Sequence, residues 1–170
     1  MICLANGNLS ANEIDRKETR DISLNLTHTV ELTALATGRA IVRSKLVNNN
    51  QKKFIFLPWN TPFDSGTFGD VFTINILEDG NEQTALYYLG RMVKRPIPKQ
   101  SDLIIIEPGQ SIEQSLDITK SYNFCSGKRY SLIYNTKFLM TDLNTNVFSR
   151  LESNKAIEFD TNKGFKSCVK

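Results

Sequence analysis

The amino-acid sequence predicts an all-β protein, an immunoglobulin-like antiparallel β-sandwich of about seven to nine strands. Short runs rich in β-branched and aromatic residues recur along the chain, and Gly, Pro, Asn and Asp separate them. No segment carries apolar residues at helical spacing over a helical length. Strands that follow one another without intervening helices favour an antiparallel sandwich over a parallel α/β sheet.

Two segments show the alternation of a half-buried strand most clearly. "DISLNLTHTVEL" places apolar side chains on one side, at Ile22, Leu24, Leu26, Val30 and Leu32. "RAIVRSKLV" repeats the pattern, and "NNNQ" ends it as a turn. Further strands are predicted in "KFIFL", "DVFTINIL", "ALYYLG", "LIIIEP", "SIEQSLDI", "RYSLIYNTKFLM" and "AIEFD".

The size and composition of the chain fit one folded domain. It has 170 residues, of which 40% are hydrophobic and 23% charged, ordinary values for a globular protein. Residues 1–20 are polar without a sustained apolar period, so we expect a flexible N-terminal arm. The β-sandwich is then predicted over residues 21–162, with a C-terminal tail at 163–170.

The charge and hydropathy of the chain argue against two classes of partner. A net charge of +3, without a recognisable reading motif, does not indicate a nucleic-acid binder. No run approaches the roughly 18 apolar residues that cross a bilayer. The opening "MICLANGNLS" lacks the basic and apolar regions of a secretory leader, so no leader is visible. We expect a monomer or a weak dimer through a sheet edge.

Three cysteines allow one disulfide. We favour Cys125 with Cys168, because this bridge would tie the tail "KGFKSCVK" to the loop "NFCSGK". It would place the protein in an oxidising compartment, secreted or periplasmic. The alternative is three unrelated thiols in a reduced protein, and the role of Cys3 stays open.

The sequence gives little support for catalysis. His28 is the single histidine, so a two-histidine HExxH zinc site is absent. Because His28 lies within an alternating strand, a surface or core imidazole is expected rather than a catalytic base. Neither G-x-S-x-G, a Walker loop nor G-x-G-x-x-G occurs. We therefore expect no catalytic residue, no metal site and no cofactor.

Tyr130 is a candidate structural residue. It stands at the start of the strand "RYSLIY", just after Gly127. Immunoglobulin-like folds often keep a corner tyrosine there, whose hydroxyl bonds to upstream backbone. An ordinary half-buried strand tyrosine is the alternative.

The loop "FLPWNTPFDSGTFGDVF" holds the single tryptophan between two prolines, which fix φ and stiffen the loop. A rigid loop of this kind either caps one end of the core or anchors a partner. We predict partner contacts from Trp59, Asn60 and Phe63, and a structural role for Thr61 and Pro62.

In "ALYYLGRMVKRPIP" an aromatic run ends at Gly90, for which a structural role is predicted, and basic residues follow among apolar ones. The predicted partner-binding residues are Arg91, Met92, Lys94 and Arg95. The alternative is a solvated edge that discourages aggregation.

Together, "WNTPFD", "GDVFTI", "YLGRMVKRPIP", "EPGQSIEQSLDITKSYNF", "GKRYSLIY" and "LESNKAIEF" resemble the N-terminal, non-catalytic β-sandwich region of peptidyl-Lys metalloendopeptidases of the deuterolysin (aspzincin) family. The resemblance runs from about Asp21 to Asp160, and "NTP" and "GRMVKR" are its most specific parts. In that family the region precedes a zinc protease domain and would assist folding or hold the enzyme inactive. Without HExxH in this sequence, the resemblance implies a fold and a protease partner rather than hydrolysis.

The resemblance leads to a hypothesis of a stand-alone, propeptide-like binder or inhibitor of a secreted metalloprotease. Lys94 or a neighbour would imitate a substrate lysine in an acidic specificity pocket. The alternative is an extracytoplasmic carbohydrate-binding, adhesion or structural sandwich. It would use Trp59, Phe63, Tyr87 and Tyr88 as stacking surfaces on one exposed face.

Overall fold

A computed structural model describes residues 26–33, 35–66, 68–134, 139–142, 147–149 and 156–168. The strands within these ranges are β1 Leu26–Thr33, β2 Ile41–Asn48, β3 Phe54–Phe56, β4 Phe72–Glu78, β5 Asn81–Ala85, β6 Ile104–Ile106, β7 Ser111–Asp117, β8 Arg129–Tyr134, β9 Leu139–Asp142, β10 Val147–Ser149 and β11 Ile157–Asp160. Two short 3-10 helices, Leu35–Thr37 and Gln100–Asp102, complete the described elements. The predicted arm over residues 1–20 lies outside the described residues.

The strands pair antiparallel in sheets that pack face to face. One sheet has the order β1-β2-β7 and another the order β11-β8-β4-β5. Two-stranded sheets β3-β6 and β10-β9 accompany them. The predicted all-β sandwich is confirmed.

Among the described residues, one cluster of buried apolar side chains joins the sheets, because alternating side chains of the two larger sheets turn inward. Val42 and Leu46 from β2 meet Ile74 from β4 and Leu132 from β8, and all four are buried. β1 repeats the alternation as half-buried and exposed residues along its whole length, as the sequence predicts. Within the described residues, no helix is long and apolar enough to cross a membrane.

The predicted strand "ALYYLG" is corrected by the structure. The strand that follows β4 in the chain and pairs with its outer edge is the polar, fully exposed β5, and Asp79 and Gly80 connect the two with φ of 52° and 77°. Beyond β5, the Leu86 amide still donates to the Ile74 carbonyl at 2.7 Å, but Tyr88 forms an isolated bridge with Tyr122. The chain changes partners at this point, so no continuous ladder forms.

Candidate partner-binding site

The tryptophan loop is folded largely onto the core. The Thr61 hydroxyl donates to the Pro58 carbonyl at 2.6 Å and accepts the Phe63 amide at 3.1 Å, which closes a tight turn. Thr61 and Pro62 are almost fully buried. Phe63 is 5% exposed and contacts the ring of Phe56 at 5.9 Å. Phe63 therefore contributes to the core and presents no ring to a partner in this conformation.

Asp64 is the polar centre of this loop, although the sequence did not single it out. Its carboxylate is buried and accepts the backbone amides of Asn60 at 3.3 Å and Ser65 at 2.8 Å. Asn60 itself is exposed and has a positive φ of 58°. A buried carboxylate needs a compensating charge.

Arg95 supplies that charge from the second predicted motif. Its guanidinium donates to the Asp64 carboxylate, and the two side chains are only 23% and 5% exposed. The guanidinium carbon also lies 5.2 Å from the ring centroid of Trp59 and 5.1 Å from that of Phe68. The Arg95 side chain thus joins the two loops, and most of it is withdrawn from a partner. We refer to Asp64, Arg95, Trp59 and Phe68 as the arginine clamp.

The chain enters the second motif through well-defined backbone contacts. The Leu89 amide donates to the Ser121 carbonyl at 2.8 Å, and the Tyr88 hydroxyl donates to the Arg91 carbonyl at 3.2 Å. A Cβ atom on Gly90 would lie 2.2 Å from the Tyr88 hydroxyl. Glycine is therefore the residue that allows Tyr88 to close over this bend.

Large apolar side chains are exposed beyond that bend. The exposed fractions are 82% for Tyr87, 60% for Leu89, 81% for Met92, 43% for Val93 and 86% for Ile97. Scattered exposed apolar residues are ordinary, but a contiguous group often marks an interaction surface. We call Tyr87–Ile97 the exposed segment.

Two of the predicted basic residues are displayed on this segment. Arg91 and Lys94 are exposed, and within the described part of the chain neither side chain forms an ion pair. Arg95 differs, because it is committed to the arginine clamp. The exposed segment therefore combines positive charge that forms no described ion pair with exposed apolar area, and the Arg95 side chain attaches the segment to the Trp59 loop.

The predicted disulfide and the predicted corner tyrosine come together around the Cys125 loop. Cys125 and Cys168 form a disulfide. The Tyr130 hydroxyl accepts the backbone amide of Cys125 at 2.8 Å, the upstream contact expected of a corner tyrosine. Burial raises the pKa of the Tyr130 hydroxyl, although the Cys125 amide opposes the shift.

His28 lies among aromatic rings rather than in a catalytic cluster. Its ring centroid is 4.8 Å from that of Tyr134 and 5.8 Å from that of Phe63. Neither imidazole nitrogen has a hydrogen-bond partner among the described residues, and burial lowers the pKa of His28 to about 4. Among those residues, no three His, Cys, Asp or Glu side chains are grouped to hold a metal ion.

No protein-family model matches this chain. The chain is similar to a protein described as a "Neutral protease 2 homolog" from Arthroderma gypseum, with 28% identity over 104 residues. The alignment covers 61% of this chain and 27% of that protein, so the chain spans about a quarter of the length of the curated relative it matches. This distant similarity agrees with the motif resemblance at the level of a protease-related region.

Proposed function

We propose that this sandwich is a non-catalytic, propeptide-like module that binds and inhibits a secreted metalloendopeptidase through the exposed segment. The observation that carries the proposal is the grouping of exposed apolar residues around Arg91 and Lys94. The arginine clamp holds this segment through Arg95. The similarity to a neutral protease homologue supports a protease as the partner.

The composition of the exposed segment suits a protein interface. Burying Met92 and Ile97, which are 81% and 86% exposed, would remove a large apolar area from water on binding. Pro96 and Pro98 restrict the backbone on either side of Ile97. A segment that is already restricted loses less conformational entropy when it binds.

Lys94 is the residue we assign to specificity. Lys94 is exposed and lies close in the sequence to the exposed Met92 and Val93. The resemblance to peptidyl-Lys metalloendopeptidases implies a partner with an acidic specificity pocket, which a lysine on a stiff segment would fill. Lys94 would then occupy the pocket as a substrate lysine does, while Arg91 contacts its rim.

The proposal gives this chain no hydrolytic step of its own. His28, the single histidine, is packed between the rings of Phe63 and Tyr134. The disulfide between Cys125 and Cys168 fits a protein that works outside the reducing cytosol. We accordingly propose a secreted or periplasmic location for both partners.

The test uses a purified Lys-directed deuterolysin-type protease with a fluorogenic lysyl peptide. We expect the protein to bind the protease and to slow hydrolysis, and Met92→Asp and Lys94→Glu each to weaken binding at least about tenfold. Ile105→Ser and Lys52→Glu are matched controls, because both residues are exposed but lie outside the exposed segment. A protease that stays fully active and shows no binding would overturn the proposal.

The carbohydrate-binding alternative finds less support in the geometry. Of its four proposed stacking residues, Phe63 is buried, Trp59 faces the Arg95 guanidinium, and Tyr88 packs against Tyr122 at 5.6 Å. Tyr87 alone of the four is largely exposed. Sugar binding to a glycan array that is lost in Tyr87→Ala would nonetheless favour that function over protease binding.

A further inference from the structure

A second candidate site lies where the C-terminal tail crosses the sandwich. The cleft has a volume of about 360 Å³ and is lined by Gly38, Leu89, Thr119, Lys120, Tyr122, Asn123, Phe124, Gly164, Phe165 and Lys166. That volume is near the lower end of the range of ligand pockets, enough for a short peptide segment rather than a folded domain. We call this site the tail cleft.

The charge of the tail cleft is one-sided. Lys120 and Lys166 are exposed, and neither forms an ion pair with any described acidic residue. Among the described residues that line the cleft, none is acidic. The nearby Asp117 carboxylate accepts the Thr119 hydroxyl and is paired with Arg39. An anionic group near Lys120 and Lys166 would therefore meet no acidic side chain in the described cleft lining.

The walls of the tail cleft are fixed by contacts of their own. The Ser126 amide donates to the Lys166 carbonyl at 2.9 Å, next to the disulfide that holds the tail. The Ala40 amide donates to the Thr119 hydroxyl at 2.9 Å, so the turn that carries Lys120 is anchored to the residue just before β2. The lysine backbones are thus held in place before any ligand arrives, which lowers the cost of binding.

Two glycines allow the tail to approach this closely. Gly38 has a φ of 73°, and a Cβ atom on it would lie 2.2 Å from the Gly164 carbonyl oxygen. The backbones of Gly38 and Gly164 therefore form one side of the cleft without side chains.

The apolar lining decides which anion fits best. Tyr122, Phe124 and Phe165 are only 2%, 2% and 6% exposed, so their rings offer no open face for a sugar or a nucleobase to stack on. Leu89, by contrast, is 60% exposed at the wall and can cover an aliphatic side chain. A peptide with a carboxylate next to a bulky aliphatic residue matches both features.

We propose that the tail cleft is a binding site for an acidic peptide segment, in which a carboxylate lies between Lys120 and Lys166 and an adjacent aliphatic side chain packs on Leu89. This site is separate from the role of Lys94 and does not require that the partner be a protease. Leu89 belongs to both surfaces, so a partner on the exposed segment could extend an acidic loop into the cleft.

The test is a titration of the ¹⁵N-labelled protein with acetyl-Asp-Leu-Glu-amide, followed by NMR. We expect amide shifts in Thr119–Asn123 and Gly164–Lys166, and affinity at least about fivefold lower for Lys120→Glu and for Lys166→Glu. Lys52→Glu is the matched control, since Lys52 is exposed beyond the far end of β2. The neutral peptide acetyl-Asn-Leu-Gln-amide should bind at least about fivefold more weakly than the acidic peptide. Added salt should lower the affinity for the acidic peptide, because it screens the charges.

Three outcomes would overturn the proposal. Equal affinity for the acidic and neutral peptides would remove the role of charge. Shifts confined to residues outside the cleft would remove the site. Tighter binding of a sulfated disaccharide with the same shifts would assign the cleft to an anionic glycan instead. Because this test contains no protease, its result is independent of the protease assay.

Discussion

At the residue scale, the arginine clamp carries the clearest energetic consequence. Removing the guanidinium in Arg95→Ala leaves the Asp64 carboxylate, 5% exposed, without a counter-charge. We expect the free energy of unfolding, measured by urea denaturation, to fall by about 3 kcal/mol.

The matched control for this change is Arg129→Ala. It breaks an ion pair with Glu158 in which both side chains are more than half exposed. The expected loss there is less than about 1 kcal/mol, because water screens the pair. Similar small losses in both variants would show that Asp64 does not depend on Arg95.

His28 gives the molecule a specific dependence on pH. Because burial lowers the pKa of the folded imidazole from its ordinary 6.5 to about 4, the unfolded chain binds a proton first as pH falls. The contribution of His28 to the free energy of unfolding is therefore fully present above about pH 6.5. It is lost as the pH falls toward 4, by up to about 3 kcal/mol.

His28→Phe keeps a ring between Phe63 and Tyr134 but removes the titration. We expect the difference in melting temperature between pH 7 and pH 4.5 to be smaller in the variant than in the wild type. If the melting temperatures of the wild type and the variant change by the same amount between pH 7 and pH 4.5, His28 has an ordinary pKa in the folded state.

Contacts between residues close in the sequence are easier to predict than contacts between residues far apart. The Tyr130 contact spans five residues, and it can be inferred from the order of Gly127, Tyr130 and the strand. Asp64 and Arg95 are separated by 31 residues, so the sequence shows a basic motif without its counter-charge. From the sequence alone, Arg95 therefore groups with Arg91 and Lys94 as a surface residue.

At the scale of elements, the alternation of apolar and polar residues predicts which way a side chain points better than it predicts which strand lies alongside. In "ALYYLG", Leu86 and Tyr88 turn inward while Tyr87 and Leu89 turn outward, as a strand requires. The ladder is interrupted because Leu86 bonds to β4 and Tyr88 to Tyr122. The Asp79–Gly80 pair, a strong hairpin signal, could have identified the polar β5, which lacks an apolar pattern.

The C-terminal tail depends on its covalent bond to the Cys125 loop. The disulfide closes a loop with a sequence separation of 43, and Phe165 beside it is buried in the core. Replacing both cysteines by serine should lower the free energy of unfolding by about 4 kcal/mol on the chain-entropy model. Guanidinium denaturation measures this loss.

The control for that experiment is Cys3→Ser, which keeps the Cys125–Cys168 bridge. Its free energy of unfolding shows how much of the loss comes from removing a thiol rather than the bridge. If the double serine variant were as stable as Cys3→Ser, the tail would be held by Phe165 and its hydrogen bonds alone.

At the scale of the whole molecule, the region that stabilises the fold differs from the region that carries the proposed binding surface. The buried core side chains come from the sheets and from loop residues such as Phe63 and Phe165. The exposed segment contributes little to this core. Exposed residues far from such a core usually change stability by less than about 0.5 kcal/mol when substituted. The two properties can therefore be separated by mutation.

The variant Met92→Asp/Ile97→Ser makes this separation measurable. We expect its free energy of unfolding to stay within about 0.5 kcal/mol of the wild type, while retention on a hydrophobic-interaction column falls clearly. Ile105→Ser, at a site 52% exposed on β6, should reduce retention less, because Ile105 lies outside the exposed segment. A loss of stability above about 1 kcal/mol in the double variant would mean that Met92 and Ile97 pack against the sandwich, and the segment could not then serve as a surface held ready for a partner.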